Sequence, residues 1–238
     1  MIDIHTHILP EMDDGSRSVE ETTKMLDMLY EQEVDTVVAT PHFYIDGTEI
    51  DEFLTKREAC AQKLISCIDS SKRPRIALGA EVQFFSQMHA TEGIDKLCIS
   101  GTRYMLVEMP FETWNSYTYK ALGLLYAAKG ITPIIAHVER YFELQNSDEE
   151  TILRNLKEVN ALIQVNSSFL TQRLTKRKAL KLIKKGFVNF MGSDCHNTES
   201  RPPDLRSGFD VIYEKLGMDG LSSFAYWDDR IGTKLETF

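Results

Sequence analysis

Short aliphatic and β-branched runs recur along this chain, and stretches of helical periodicity separate most of them. The runs are "MIDIH" at 1–5, "VDTVVAT" at 34–40, "RIALGAEV" at 75–82, "YMLVEM" at 104–109, "TPIIAHV" at 132–138, "ALIQVNS" at 161–167 and "FVNFMGSD" at 187–194. The helical pattern is clearest in "SVEETTKMLDMLYEQ" from Ser18 and "SDEETILRNLKEV" from Ser147. Each opens on a Ser-x-x-Glu capping box, Ser18 with Glu21 and Ser147 with Glu150. Strands alternating with helices imply parallel βαβ units. The runs are apolar almost throughout, as strands covered on both faces must be. Seven such runs suit an α/β barrel-like sheet. No Gly/Ser/Pro-rich linker and no internal repeat divides the 238 residues, so one domain over 1–238 is expected.

A formal net charge of −9 argues against broad electrostatic binding to nucleic acid or an anionic membrane, since both need a basic face. An anionic substrate would need a strong local positive charge. With 42% hydrophobic residues the chain can bury a sizeable core. "ALGLLYAAKGITPIIAHV" is the longest near-apolar stretch, and Lys129, Gly130 and Pro133 break it, so no membrane span is expected. Cys60, Cys67, Cys98 and Cys195 form no C-x-x-C pair and read as reduced thiols of a cytoplasmic protein. "MIDIHTHILP" lacks the basic and long apolar segments of a signal peptide.

The chemistry concentrates at the C-terminal ends of the expected strands. His5, His7, His42, His137 and His196 all lie there, as do Asp14, Glu81, Glu108 and Asp194. His89 is the exception and reads as a surface residue. In parallel β/α folds these strand ends converge on one face, which holds the active site. A lone histidine is usually structural, but five at one sheet edge with several acids are not easily structural. In the H-x-H pair, alternation along an extended segment lets His5 and His7 reach one ion. Imidazoles and carboxylates without thiolates suit Mn²⁺, Fe²⁺, Zn²⁺ or Co²⁺.

"GSDCHNTESRPP" (192–203) offers a rival chemistry, because Cys195 and Arg201 have the C-x5-R spacing of a thiolate phosphatase loop. Such a loop wraps phosphate in backbone N–H groups. "HNTES" has no glycine to ease the wrap, and Glu199 would oppose both thiolate and phosphate. "CISGTR" (98–103) has one residue too few between Cys98 and Arg103, and no G-x-x-x-x-G-K-[ST] loop occurs. The basic "KRKALKLIKKG" (176–186) reads as a solvated helix face.

The ordered motifs "DIHTH", "TPH", "GAE", "AHVERY" and "GSDCHN…RPP" resemble the polymerase-and-histidinol-phosphatase (PHP) superfamily. Within it, "MIDIHTHILPEMDDGSRS", "GITPIIAHVERY" and "QVNSS" resemble the bacterial tyrosine-protein phosphatases linked to capsule and exopolysaccharide synthesis. The resemblance spans residue 1 to about 216. It implies a distorted seven-stranded TIM-like (β/α) barrel and three divalent ions, Mn²⁺ first among the candidates. By the resemblance His5, His7, Glu81 and Asp194 hold one ion. Glu81 bridges to a second, with Glu108 and His137. Asp14, His42 and His196 hold the third, with Asp13 as the competitor for Asp14. The ions outweigh the four carboxylates, which makes the site locally positive. A metal-bound hydroxide, formed where bound water reaches a pKa of about 7, is the implied nucleophile. Arg140 and Arg201 are implied to grip the phosphate, as a guanidinium fork can. The implied partner is the phosphotyrosine-bearing tail of a tyrosine autokinase, and a homo-oligomer is possible.

Two other functions compete: a small-molecule phosphatase such as a histidinol-phosphatase, and a non-catalytic metal-binding regulatory module. "FFSQMHATEG" and "FETWNSYTY" could line a peptide groove. Residues 217–238 depart from the pattern, without the Asn-Pro pair expected there, and carry no expected site residue.

Overall fold

The computed structural model describes residues 1–68 and 73–238. Among the described residues it contains nine strands, all paired in parallel within a curled sheet layer. They are β1 (Ile2–Thr6), β2 (Thr36–Ala39), β3 (His42–Phe43), β4 (Arg75–Leu78), β5 (Glu81–Gln83), β6 (Tyr104–Glu108), β7 (Thr132–Ile135), β8 (Leu162–Asn166) and β9 (Phe190–Gly192). Hydrogen bonding orders them as β1-β2-β4 and β3-β5-β6-β7-β8-β9. All seven expected runs form strand. The count rises to nine because the 75–82 run breaks at Gly79-Ala80, and because Thr40-Pro41 separates β2 from a short β3 that the sequence reading did not assign. The free edges β1 and β9 meet: Asp194 N–H donates to His5 O at 2.8 Å and His7 N–H to Cys195 O at 2.9 Å.

Helices α1 (Val19–Glu31), α2 (Ile50–Ile65), α3 (Ser116–Lys129), α4 (Glu149–Glu158), α5 (Ser167–Thr171) and α6 (Lys176–Lys184) connect the strands. Ser18 caps α1 as expected, its hydroxyl accepting from Glu21 N–H at 3.2 Å. Glu21 does not return to Ser18; it accepts from Arg17 N–H instead. Helix α4 starts one residue later than expected. Asp148, not Ser147, is its cap, because the carboxylate reaches Thr151 N–H at 3.1 Å. Met25, Leu26 and Leu29 turn one face of α1 fully into the core. Each such burial contributes about 1.5–3 kcal/mol. The basic face of α6 is largely matched by α4, with Lys181 and Lys185 pairing Glu150 and Lys178 pairing Glu149.

A second apolar cluster fills the space enclosed by the strands. Ile2, Ile4, Val38, Leu106, Ile134 and Phe190 contribute to it. Its N-terminal end is closed by α7 (Arg206–Gly232), which bends at Gly217, where φ is 66°. Ile231 joins the cluster, Trp227 packs on Phe190 at 5.6 Å, and Asp228 accepts from Ile2 N–H at 3.2 Å. The 217–238 segment therefore plugs the end of the sheet opposite the histidines. Among the described residues, no helix is long and apolar enough to cross a membrane.

Candidate metal centre

Strand ends place the functional side chains. His5 lies in β1, His42 opens β3, Glu81 opens β5 and Glu108 ends β6, while His137 and the Asp194–His196 pair follow β7 and β9. Two of these positions are backbone exceptions for non-glycine residues: His137 has φ 29° and Asp194 has φ 55°. Such strain persists where surrounding structure over-determines it, often at functional sites. Gly15 lets the 8–15 loop close over the site, since a Cβ there would meet His7 O at 2.2 Å.

Glu81, 1% exposed, is the hub. Its Oε2 lies 3.2 Å from His5 Nε2, 3.3 Å from His7 Nε2 and 3.1 Å from His42 Nδ1, and its Oε1 lies 2.9 Å from His137 Nε2. Asp194 Oδ1 is 3.5 Å from the Nε2 atoms of both His5 and His7. Asp14 Oδ1 is 3.5 Å from His42 Nε2 and 3.4 Å from His196 Nε2. Glu108 stands 3.8 Å from His137 Nε2. Ligand atoms about 2.1 Å from a common ion sit roughly 3.0–3.5 Å from one another. Among the described residues, four groups have ligand atoms close enough to share an ion: His7–Asp14–His42–His196, His5–His7–Glu81, His5–His137–Asp194 and His42–Glu81–Glu108. Together they take in every expected candidate ligand, but the partition differs from the expected one: His137 groups with His5 and Asp194, and Glu108 groups with His42 and Glu81. His7 also joins the Asp14 group, which the sequence reading had not anticipated. His89 stays apart in a 3-10 turn, Met88–Ala90, and is half-buried, not the open surface residue expected.

The rings are aimed. His7 Nδ1 meets Asp13 Oδ2 at 2.7 Å, His5 Nδ1 meets Gln164 Oε1 at 3.3 Å, and His137 Nδ1 meets Tyr141 Oη at 3.3 Å. His196 Nδ1 meets the Asp194 carbonyl at 3.0 Å. Each contact leaves Nε2 facing the centre, the arrangement that orients metal-binding histidines. Asp13 and Asp14 divide their tasks. Asp13 holds His7 and also accepts from the His42 and Gly15 N–H groups, whereas Asp14 faces His42 and His196.

The electrostatics call for a cation. Burial followed by the charge of Glu81 pushes Glu108 up to about 7. Burial, then the charge on His7, drives His196 down to about 4. His42 and His137 are lowered too, chiefly by burial, so these three rings stay in the neutral, ligating form. Burial also opposes charge on His5 and His7, but it is outweighed. Glu81 and Asp194 raise His5, and the hydrogen bond to Asp13 together with the charge of Glu81 raises His7 to about 10. Buried Glu81 Oε2, His42 Nδ1 and His196 Nε2 lack hydrogen-bond partners. Divalent ions fit this all-imidazole and carboxylate set.

Arg140 and Arg201 stand at the rim, 36% and 38% exposed, and both guanidinium groups reach Asp194, Arg201 at 2.8 Å. Cys195 is fully buried and burial holds its thiol far above the usual range, so it is no thiolate. A cavity of about 530 Å³ opens beside Asp14 and His42, with Tyr44, Phe53 and Lys56 in its wall. A larger one, about 1010 Å³, lies at the opposite end and carries no histidine. Sequence reasoning passed over Gln164, Asn166 and Tyr141. For Gln164 and Asn166 the available signal was polar side chains inside an otherwise apolar strand run; Tyr141, in the turn after β7, carried no such signal.

The family model for capsular polysaccharide synthesis, CpsB/CapC, matches residues 1–228. The tyrosine-protein phosphatase CpsB of Streptococcus pneumoniae is 31% identical over 232 residues, covering 91% of each chain. The tyrosine-protein phosphatase YwqE of Bacillus subtilis (strain 168) is 29% identical, covering 92% of this chain and 86% of its own. A solved structure from work on YwqE and CpsB, described as unique metal-dependent tyrosine phosphatases, superposes with a TM-score of 0.81 at 24% identity, covering 100% of this chain and 96% of that one. Histidinol phosphate phosphatase from Lactococcus lactis shares the fold at a TM-score of 0.55 and 12% identity, covering 92% of this chain and 94% of its own.

Proposed function

The chain belongs to the CpsB/CapC capsular polysaccharide synthesis family, and from that premise we propose that it is a metal-dependent protein-tyrosine-phosphatase. The carrying observation is the ring of aimed Nε2 atoms around the buried Glu81 carboxylate. We read the curled sheet as a distorted seven-stranded PHP barrel with two interrupted strands, and residues 1–238 as one domain. His5, His7, Glu81 and Asp194 would hold one ion, Glu81, Glu108 and His137 a second, and Asp14, His42 and His196 a third. Mn²⁺ is the first candidate. Bound ions would supply Lewis acidity and a water of lowered pKa, about 7 in favourable sites.

The chain's own residues do the rest. Arg140 and Arg201 orient the phosphoryl group from the rim, their forks matching its oxygens. Asp194 keeps both guanidinium groups in place until substrate arrives. Asp13, Gln164 and Tyr141 hold the imidazoles in register. Phe111 and Tyr117, both exposed in the "FETWNSYTY" segment, offer apolar contact to a polypeptide bearing the phosphotyrosine. Phe111 lies 5.1 Å from Tyr141. That exposure favours a peptide over a small molecule such as histidinol phosphate. The tail of a tyrosine autokinase in the cytoplasm is the substrate we propose.

The test is removal of metal with a strong chelator, followed by an assay on a phosphotyrosine peptide. Activity should vanish and return with Mn²⁺; undiminished turnover in fully stripped protein would reject the reading. A higher kcat/KM for histidinol phosphate than for the peptide would move the substrate to small molecules.

A further inference from the structure

Two carboxamides beneath the site form a chain that no ligand assignment uses. Gln164 and Asn166 lie two residues apart in β8, so both side chains leave the same face of the strand. Gln164 is fully buried and Asn166 is 4% exposed. Gln164 Oε1 accepts from His137 N–H at 2.6 Å and meets His5 Nδ1 at 3.3 Å. Gln164 Nε2 donates to Asn166 Oδ1 at 2.9 Å, and Asn166 Nδ2 donates to Asp194 Oδ2 at 3.0 Å. The chain thus touches His5, His137 and Asp194, which form one of the groups able to share an ion. It also ties down both strained site residues, His137 by its backbone N–H and Asp194 by its carboxylate.

Packing alone does not call for these residues. Neighbouring positions facing the strand-enclosed space carry Ile4, Leu106, Ile134 and Phe190. An apolar side chain would fill the Gln164 position without the cost of burying an amide. The structure instead makes room for the amide. A Cβ on Gly192 would meet His5 Cβ at 2.7 Å and Gln164 Nε2 at 3.1 Å, so only glycine lets β9 pass the His5–Gln164 contact.

We propose that Gln164 and Asn166 are positioning residues that set three metal ligands, His5, His137 and Asp194, before any ion binds. The inference rests on the ligand reading above, though not on the identity of the substrate. Gln164 gives His5 a neutral acceptor where Asp13 gives His7 a charged one. The two imidazoles of the H-x-H pair are thereby held by chemically different partners.

The experiment titrates Mn²⁺ into the ion-stripped full chain by calorimetry and records the visible spectrum of the Co²⁺-loaded protein. Gln164→Met keeps the length of the side chain and removes its acceptor and donor. Its Mn²⁺ affinity should fall about 10–100-fold with an altered Co²⁺ spectrum, as loss of ligand-orienting contacts does. Gln164→Glu keeps the acceptor for His5 and His137 and should recover most of that loss. Asn166→Ala should weaken binding on its own and serves as the deciding variant if Gln164→Met does not fold. Wild-type affinity and spectrum in Gln164→Met, or in Asn166→Ala when the first is unfolded, would overturn the proposal. A purely structural role would lower the melting temperature of the stripped protein and leave the Co²⁺ spectrum unchanged. Failure of the wild-type chain to bind Mn²⁺ or Co²⁺ would instead reject the ligand reading itself.

Discussion

Asp13 Oδ2 sits 2.7 Å from His7 Nδ1, on the side of the ring away from Glu81. One of two adjacent acids is thereby committed to orienting a histidine, and the other, Asp14, is left to face His42 and His196. The two should fail differently. Asp14→Ala should lower the number of bound ions by one in elemental analysis. Asp13→Asn should keep the full complement but weaken affinity, by about 10-fold or more. Equal stoichiometry in both variants would contradict this division.

Cys195 and His196 are neighbours with opposite prospects. The thiol is fully buried where β9 meets β1, and His196 Nε2 faces Asp14. Cys195→Ser should retain most phosphatase activity, while His196→Ala should lose nearly all of it. The reverse order of activities would return the C-x5-R loop to a thiolate mechanism.

Metal loading should release protons. His7 is raised to about 10, so it is protonated at neutral pH in the ion-free chain, and Glu81 and Asp194 raise His5 from its usual value against the opposing effect of burial. An imidazole must give up its Nε2 proton to ligate. Apparent affinity should therefore fall as pH falls, about tenfold per unit for each proton displaced. Calorimetry in buffers of different ionisation enthalpy measures the release directly, and a buffer-independent heat would refute it.

Asp228 offers a stability test far from the metal ligands. Burial pushes its carboxyl up to about 6, against the lowering effect of the Ile2 N–H. The folded value lies above the unfolded 3.8, so the fold favours the protonated acid. That contribution is complete below about pH 4 and is lost as pH rises through 6. Asp228→Asn keeps an acceptor without the charge. Its melting temperature relative to wild type should climb between about pH 4 and pH 7, and a constant difference would show that Asp228 does not titrate there.

Much of the candidate site could be read from the chain because its candidate ligands are histidines and acids at the ends of apolar strand runs, where such residues are costly. His42 and Glu81 were legible for that reason. The breaks that aim them were not. Thr40-Pro41 looks like an ordinary strand end and Gly79-Ala80 like the interior of a single run, and only hydrogen bonds such as Glu81 N–H to Pro41 O reveal the short strands beyond them. Gln164 and Asn166 were hidden for a related reason. Their role depends on β7 and β9 lying on either side, a fact about neighbours in space that spacing along one strand does not contain. The Ser147 cap failed because two adjacent residues could both serve, and the Asp148 carboxylate reached Thr151 first.

The seam between β1 and β9 has a consequence for how the protein is made. His5 and Asp194 come from nearly opposite ends of the chain, and their strands touch only across that seam. The H-x-H pair lies in and just after the first of the nine described strands, and its partner acid follows the last. Contacts so distant in sequence form late and pay the full loop-closure entropy. The proposed ion-binding cage is therefore complete only once this seam closes, and a chain truncated before β9 should show no phosphatase activity.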